Sequence, residues 1–146
     1  MSAKEVRLMV DIVIFPAIIM GIIIGMLELL FVHSDEGAMG MTWLTHGLHA
    51  IPFTILFVFV SMNISFVLNL LNLAITENFA VDLAIRGIIA IIAMVKVAGA
   101  AAITPGAMRG VGEKLPHTLI IGAFIFAAPY IWEYALAGII GPMLPF

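Results

Sequence analysis

Residues 37–76 read GAMGMTWLTHGLHAIPFTILFVFVSMNISFVLNLLNLAIT, and not one of them is Asp, Glu, Lys or Arg. A helix or strand facing water over that length would need charges on its exposed side, whereas a bilayer core about 30 Å thick takes roughly 20 residues of uncharged helix to cross. The stretch is therefore read as a membrane span. Outward from it, the sparse charges separate three more apolar segments. One runs from about Leu8 to Val32 and carries Glu28, one from Phe79 to Thr104, and one starts near Pro116. No alternating ten-residue pattern of a membrane barrel is visible, and a lone chain in lipid must satisfy its backbone hydrogen bonds within each span. The expected fold is all-α: a polytopic integral membrane protein, one domain, with a bundle of four transmembrane helices at approximately 8–32, 43–76, 79–104 and 116–141.

Composition agrees. The chain is 64% hydrophobic and 10% charged, against roughly 25% charged residues in a soluble domain. A net charge of -3, without a basic face, excludes nucleic acid as a partner. The absence of cysteine removes disulfides, thiolate metal sites and Cys nucleophiles together. Lys4 and Arg7 resemble the first region of a signal peptide, but the apolar run behind them is too long and lacks a small-residue cleavage site, so an uncleaved first span is expected. Lys4, Arg7 and Arg86 on one side against Arg109 and Lys114 on the other give a slight bias to a cytoplasmic N-terminus. So small a bias also permits insertion both ways round and an antiparallel dimer.

Pro105-Gly106 stops the third helix, and Pro116 suits the first turn of the fourth, where its missing N–H has no helical partner. The end of the fourth span stays open between two forms. Tyr130, Trp132 and Tyr134 form an interfacial belt with 135–146 along the surface, or a helix kinked at Pro129 continues to Gly141.

Lipid tails are as apolar as leucine, so helices associate there by close packing and hydrogen bonds. Ala17, Gly21 and Gly25 recur every four residues and make a small-residue strip on the first helix; Ala84, Gly87, Ala90 and Ala93 repeat the device on the third. On the second, Ser61, Ser65, Asn69, Asn72 and Thr76 fall on one stripe of a 3.6-residue helix, extended backward by Thr54. That stripe is either polar glue between helices or the lining of a wet path.

Ionisable residues within spans cost about 2.5 to 3.5 kcal/mol each on insertion scales and need a partner or a purpose. Glu28 and Lys96 fall at comparable depths, and a pair between them is the expectation, with snorkelling of Lys96 the alternative. Glu133 is interfacial if the fourth helix ends early, and buried near the level of Asn69 and Asn72 if it continues. Asp11, Asp82 and Arg86, near helix ends, read as structural. His33, Asp35, Glu36, His46 and His49 gather at the first loop, and imidazoles with carboxylates suit a transition metal or a pH-sensitive gate. The helical zinc motif His-Glu-x-x-His is absent, as are phosphate loops, dinucleotide fingerprints and Gly-x-Ser-x-Gly. No cofactor and no catalysis are expected.

Three functions follow as expectations for a multi-pass protein of the cell membrane. The first is a non-catalytic helical subunit, in a homo-oligomer or with other membrane subunits. The second is a small ion or proton channel or transporter using Glu28, Lys96, Glu133 and the stripe. The third is a metal-binding component at the first loop.

Overall fold

The computed structural model describes residues 12–36, 42–71, 78–103 and 114–144, with no strand among them. Among the described residues the main helices are α1 (Ile14–Glu36), α2 (Thr42–Met62), α3 (Ile64–Leu70), α4 (Phe79–Ile103) and α5 (Leu115–Ile131). Helix α5 runs on through a π-helical turn at Trp132–Leu136, a last α-helical turn at Ala137–Ile140 and a 3-10 turn at Gly141–Met143. Of the two forms open for the fourth segment, the continuous helix is the one observed.

Two helical stretches, Ile14–Asp35 and Leu115–Met143, are long and apolar enough to cross a membrane, and the pair Gly47–Met62 with Ile64–Leu70 makes a third if it is one broken span, bent by 86°. Helix α4, along which Asp82, Arg86 and Lys96 are spaced, is not among them. The charge-free stretch that was expected to form one rod thus turns sharply at Asn63.

Helices α1, α2, α4 and α5 close into a ring in which each packs on the next, and α2 also reaches α5 across the middle. Helices α1 and α4 lie on the other diagonal. The core where they converge is Met20 and Ile24 of α1, Val58 of α2, Ala93 of α4, and Ile121, Ile125 and Ala128 of α5. Outside it, Ile22, Met26 and Leu30 on α1, Ile88, Ile91 and Val95 on α4 and Leu119 on α5 are exposed, while the carboxylate of Glu28 is enclosed at 0% exposure. Exposed large apolar side chains around a buried acid suit a hydrocarbon solvent rather than water.

Small residues set how closely the antiparallel neighbours approach. A Cβ placed on Gly21 would stand 3.1 Å from the Ile55 Cα, and one on Gly25 would be 3.5 Å from Ile51 Cγ2. Ala17, one turn earlier on this face, is fully buried. The strip of Ala17, Gly21 and Gly25 is therefore occupied by α2 of the same chain. On the opposite side of the ring, Gly122 of α5 sits against the Met94 side chain. The matching strip on α4 is only half used: Ala90 and Ala93 are buried, whereas a side chain on Gly87 would meet nothing within 4 Å.

Gly21→Val should destabilise the protein by about 1–3 kcal/mol, because the added methyls meet backbone that cannot step aside. Gly87→Ala should fall within about 0.5 kcal/mol of the parent. Unfolding in mixed micelles at increasing denaturing detergent measures both.

Candidate functional site

Polar side chains collect at the two ends of the ring. At the first end, α2 breaks, and the cause of its irregularity is answered residue by residue. Proline lacks an N–H, so Pro129 leaves the carbonyl four residues earlier, that of Ile125, without its helical donor. Ser61 Oγ donates to that carbonyl at 2.8 Å in a fully buried contact. The break at Asn63 in turn interrupts the ladder of α2, and the Ser61 carbonyl accepts from Arg86 Nη1. Arg86 is held for this task by a bidentate pair with Asp82 one turn earlier, Nε to Oδ2 at 2.7 Å and Nη2 to Oδ1 at 3.0 Å. Its guanidinium also lies 5.7 Å from the centre of the Tyr130 ring, in cation–π range. A charge on α4 thereby binds the bend of α2 and an aromatic of α5 at once.

Asn63 occupies the bend itself. Its backbone N–H is shared between the Phe59 and Val60 carbonyls, and its own carbonyl accepts from Val67 to restart the chain as α3. The carboxamide acts as a substitute peptide group: Oδ1 accepts from Val13 N at 2.7 Å, while Nδ2 donates to Phe59 O at 2.9 Å and to Val13 O at 3.3 Å. The residue that turns α2 also fixes the entry of α1.

At the other end, α5 begins with Lys114 at its cap position, makes no side-chain cap bond there, and has no acid in its first turn. Free N–H groups at a helix start attract negative charge. Asp35, one residue from the end of α1, supplies it from the neighbouring helix. Its Oδ2 accepts from Lys114 N and His117 Nδ1, each at 2.8 Å, and its Oδ1 lies 2.9 Å from Lys114 Nζ. Its side chain is 1% exposed, although that of Lys114 is 65% exposed. The His117 ring stacks on Phe31 of α1 at 4.3 Å with 5° between the planes. Two turns inward on the same face of α1 lies Glu28, with buried Val32 between it and Asp35 and buried Ile24 beyond it.

Several expectations change against this geometry. No ion pair among the described residues joins Glu28 to Lys96: Glu28 is buried in the ring, Lys96 is exposed, and their helices occupy opposite corners. The depths were comparable but the azimuths were not. Glu133 is exposed although the helix continues past it, because it falls well away from the face of α5 that buries Ile121, Ile125 and Ala128. The polar stripe does not run along one helix. Ser61 is buried, Asn69 is half-buried and Ser65 is exposed, with the 86° bend between Ser61 and the other two. Asn72 and Thr76 lie outside the described residues. Thr54 is buried and returns its hydroxyl to the Ala50 carbonyl at 3.2 Å.

Asp35 is engaged by Lys114 and His117, His33 and His49 are exposed, and the side chains of Glu36 and His46 lie outside the description. Among the described residues no three of His, Asp and Glu stand together as metal ligands. Sequence reasoning missed His117 and Asn63. For His117 the missing signal was the uncapped, acid-free start of α5, which requires an anion from elsewhere. No family model matches the sequence, and neither the curated proteins nor the solved structures give a match.

The coupling of Ser61 to Pro129 is measurable. Ser61→Ala should cost about 1 kcal/mol in the parent, since it orphans a buried carbonyl. In a Pro129→Ala background residue 129 can donate to Ile125 itself, and the same substitution should cost well under half as much. A double-mutant cycle on unfolding free energies decides it, and additivity of the two changes would refute the assignment.

Proposed function

We propose that the chain is a multi-pass integral protein of the cell membrane, crossing four times through α1, the bent α2–α3 pair, α4 and α5. On this proposal it acts as a non-catalytic subunit, in a homo-oligomer or among other membrane subunits. One observation carries the reading. Ser61, Asn63 and Arg86 each close a gap in helical backbone, and Asp35 closes the start of α5. Groups so committed hold helices together and leave little to solvate a passing solute. Surfaces for partners exist on the outside. Side chains at Gly87 and Gly99 of α4, and at Gly138 and Gly141 beyond α5, would meet nothing within 4 Å, so a neighbouring helix has room to approach the backbone there.

A second reading draws on a different observation. An acid with 0% exposure in the ring, Glu28, suits proton or ion handling. In this alternative, transport runs past Glu28, with Lys96 and Glu133 on the outer faces aiding entry or exit.

Native mass measurement in mild detergent separates these. The subunit reading expects a fixed multiple of the 15.7 kDa chain, or a constant set of co-purifying membrane proteins, together with proteoliposomes no leakier to protons or monovalent cations than empty vesicles. A bare monomer would overturn it. Flux that disappears in Glu28→Gln while the mass is unchanged would establish the second reading in its place.

A further inference from the structure

Glu28, Val32 and Asp35 share one face of α1, at spacings of four and three residues. The seven residues from Glu28 to Asp35 span about 10 Å at 1.5 Å per residue. All three side chains are closed off, Glu28 and Val32 at 0% and Asp35 at 1% exposure. Among the described residues, the outermost group at this end is different in kind. Lys114, which holds Asp35 through its backbone N–H and its ammonium, has a side chain 65% exposed. Exposed chemistry thus begins one residue contact beyond Asp35, and the interior acid lies two turns below it.

We infer that Asp35, Lys114 and His117 form a latch that controls access from the aqueous phase to the interior around Val32 and Glu28. The latch joins the last turn of α1 to the first turn of α5. At this end the two helices are held by charge-assisted bonds to one carboxylate and by the Phe31–His117 stack. Below it the α1–α5 contact is apolar, through Ile24, Ile121 and Ile125. Parting α1 from α5 at the latch opens the top of the column without disturbing that core, because the core lies further along both helices. Water then meets Val32 first and Glu28 one turn later. The value of such a latch to the cell rests on Glu28 handling ions. The access it controls is a separate physical property.

The cysteine-free chain allows access to be read directly. Val32→Cys places a near-isosteric thiol in the column, Glu28→Cys places one at its foot, and Met20→Cys places one in the core on the far side. Each is reconstituted in nanodiscs, where both membrane faces are open, and treated with a sulfonated maleimide too polar to enter lipid. With the latch intact all three thiols should react slowly. Asp35→Asn should speed reaction at Val32→Cys by about tenfold or more, and at Glu28→Cys by a smaller factor, with Met20→Cys unchanged. That tenfold corresponds to about 1.4 kcal/mol, in the range of a bond to a charged group. Lys114→Ala, which keeps the backbone N–H and removes the ammonium, should give an intermediate increase and serves where Asp35→Asn fails to fold. Unchanged rates at Val32→Cys would overturn the inference, and so would an equal rise at Met20→Cys, which would mean that the whole ring had loosened. Flux plays no part in the readout, so a chain that transports nothing can still possess the latch, and a chain that transports can be shown to lack it.

Discussion

The rest of the architecture depends on one constraint: in an apolar interior, a backbone carbonyl that loses its helical donor must find another. Among the described residues, the hydrogen-bond ladder of α2 is interrupted at Asn63 and that of α5 at Pro129, and these two interruptions face each other. Ser61 stands just before the first and donates to the carbonyl freed by the second. Its own carbonyl, at the interrupted ladder, is taken by Arg86. The irregularities are thus mutually satisfying. A straight α2 would have kept the Ser61 carbonyl in its own ladder and left the Arg86 guanidinium, with a side chain only 12% exposed, short of an acceptor. The bend and the buried charge on α4 explain one another.

The same constraint governs the helix ends. Asn63 provides a peptide-like pair of contacts to Val13, and Asp35 provides the anion that α5 lacks in its own first turn. In water these groups would be met by solvent at little cost; in an apolar interior they have to be met by side chains from another helix. Of the buried polar residues, Ser61 and Asn63 answer unmet backbone groups, and the middle of the ring between the two ends is apolar, built from Met20, Ile24, Val58, Ile121 and Ile125.

What was legible in the sequence follows from how local the signal was. Helical class and the apolar segments at Ile14–Asp35 and Leu115–Met143 depend on composition along one helix, and these came through. The continuation of α5 past Pro129 was one of two forms left open, since a proline predicts a disturbance without saying whether neighbours repair it. Here the repair comes from Ser61, far away in the chain. The bend at Asn63 could not be read, because Ile, Ser, Phe, Val and Leu on both sides continue the helical pattern and the decisive bonds go to Val13. The Glu28–Lys96 pair failed for a related reason: depth along a helix is a matter of counting, but the facing direction depends on which helices become neighbours. Of the first-loop residues, Asp35 turns to the neighbouring helix, to Lys114 and His117, a contact that proximity in sequence does not reveal.

The two ends of the ring are held in physically different ways, and this bears on where the molecule is able to move. At the Asn63 end, side chains bind backbone: the Ser61–Ile125, Asn63–Val13 and Arg86–Ser61 contacts involve carbonyls and amides in buried or part-buried positions. Such bonds are short-ranged and little affected by salt. Losing any one of them exposes an orphaned backbone group to an apolar surrounding, so the cost of opening is high. At the Asp35 end, one partner is an ammonium that water and counter-ions already reach, and an exposed charge that leaves its partner is rehydrated at once. Solvent therefore reaches one partner of the contact where α1 meets α5 at Asp35, whereas the Ser61 bond where α2 meets α5 is fully buried. The latch inferred at Asp35 thus lies at the end of the ring with an exposed partner, and Glu28 lies two turns inward from it on the same face of α1.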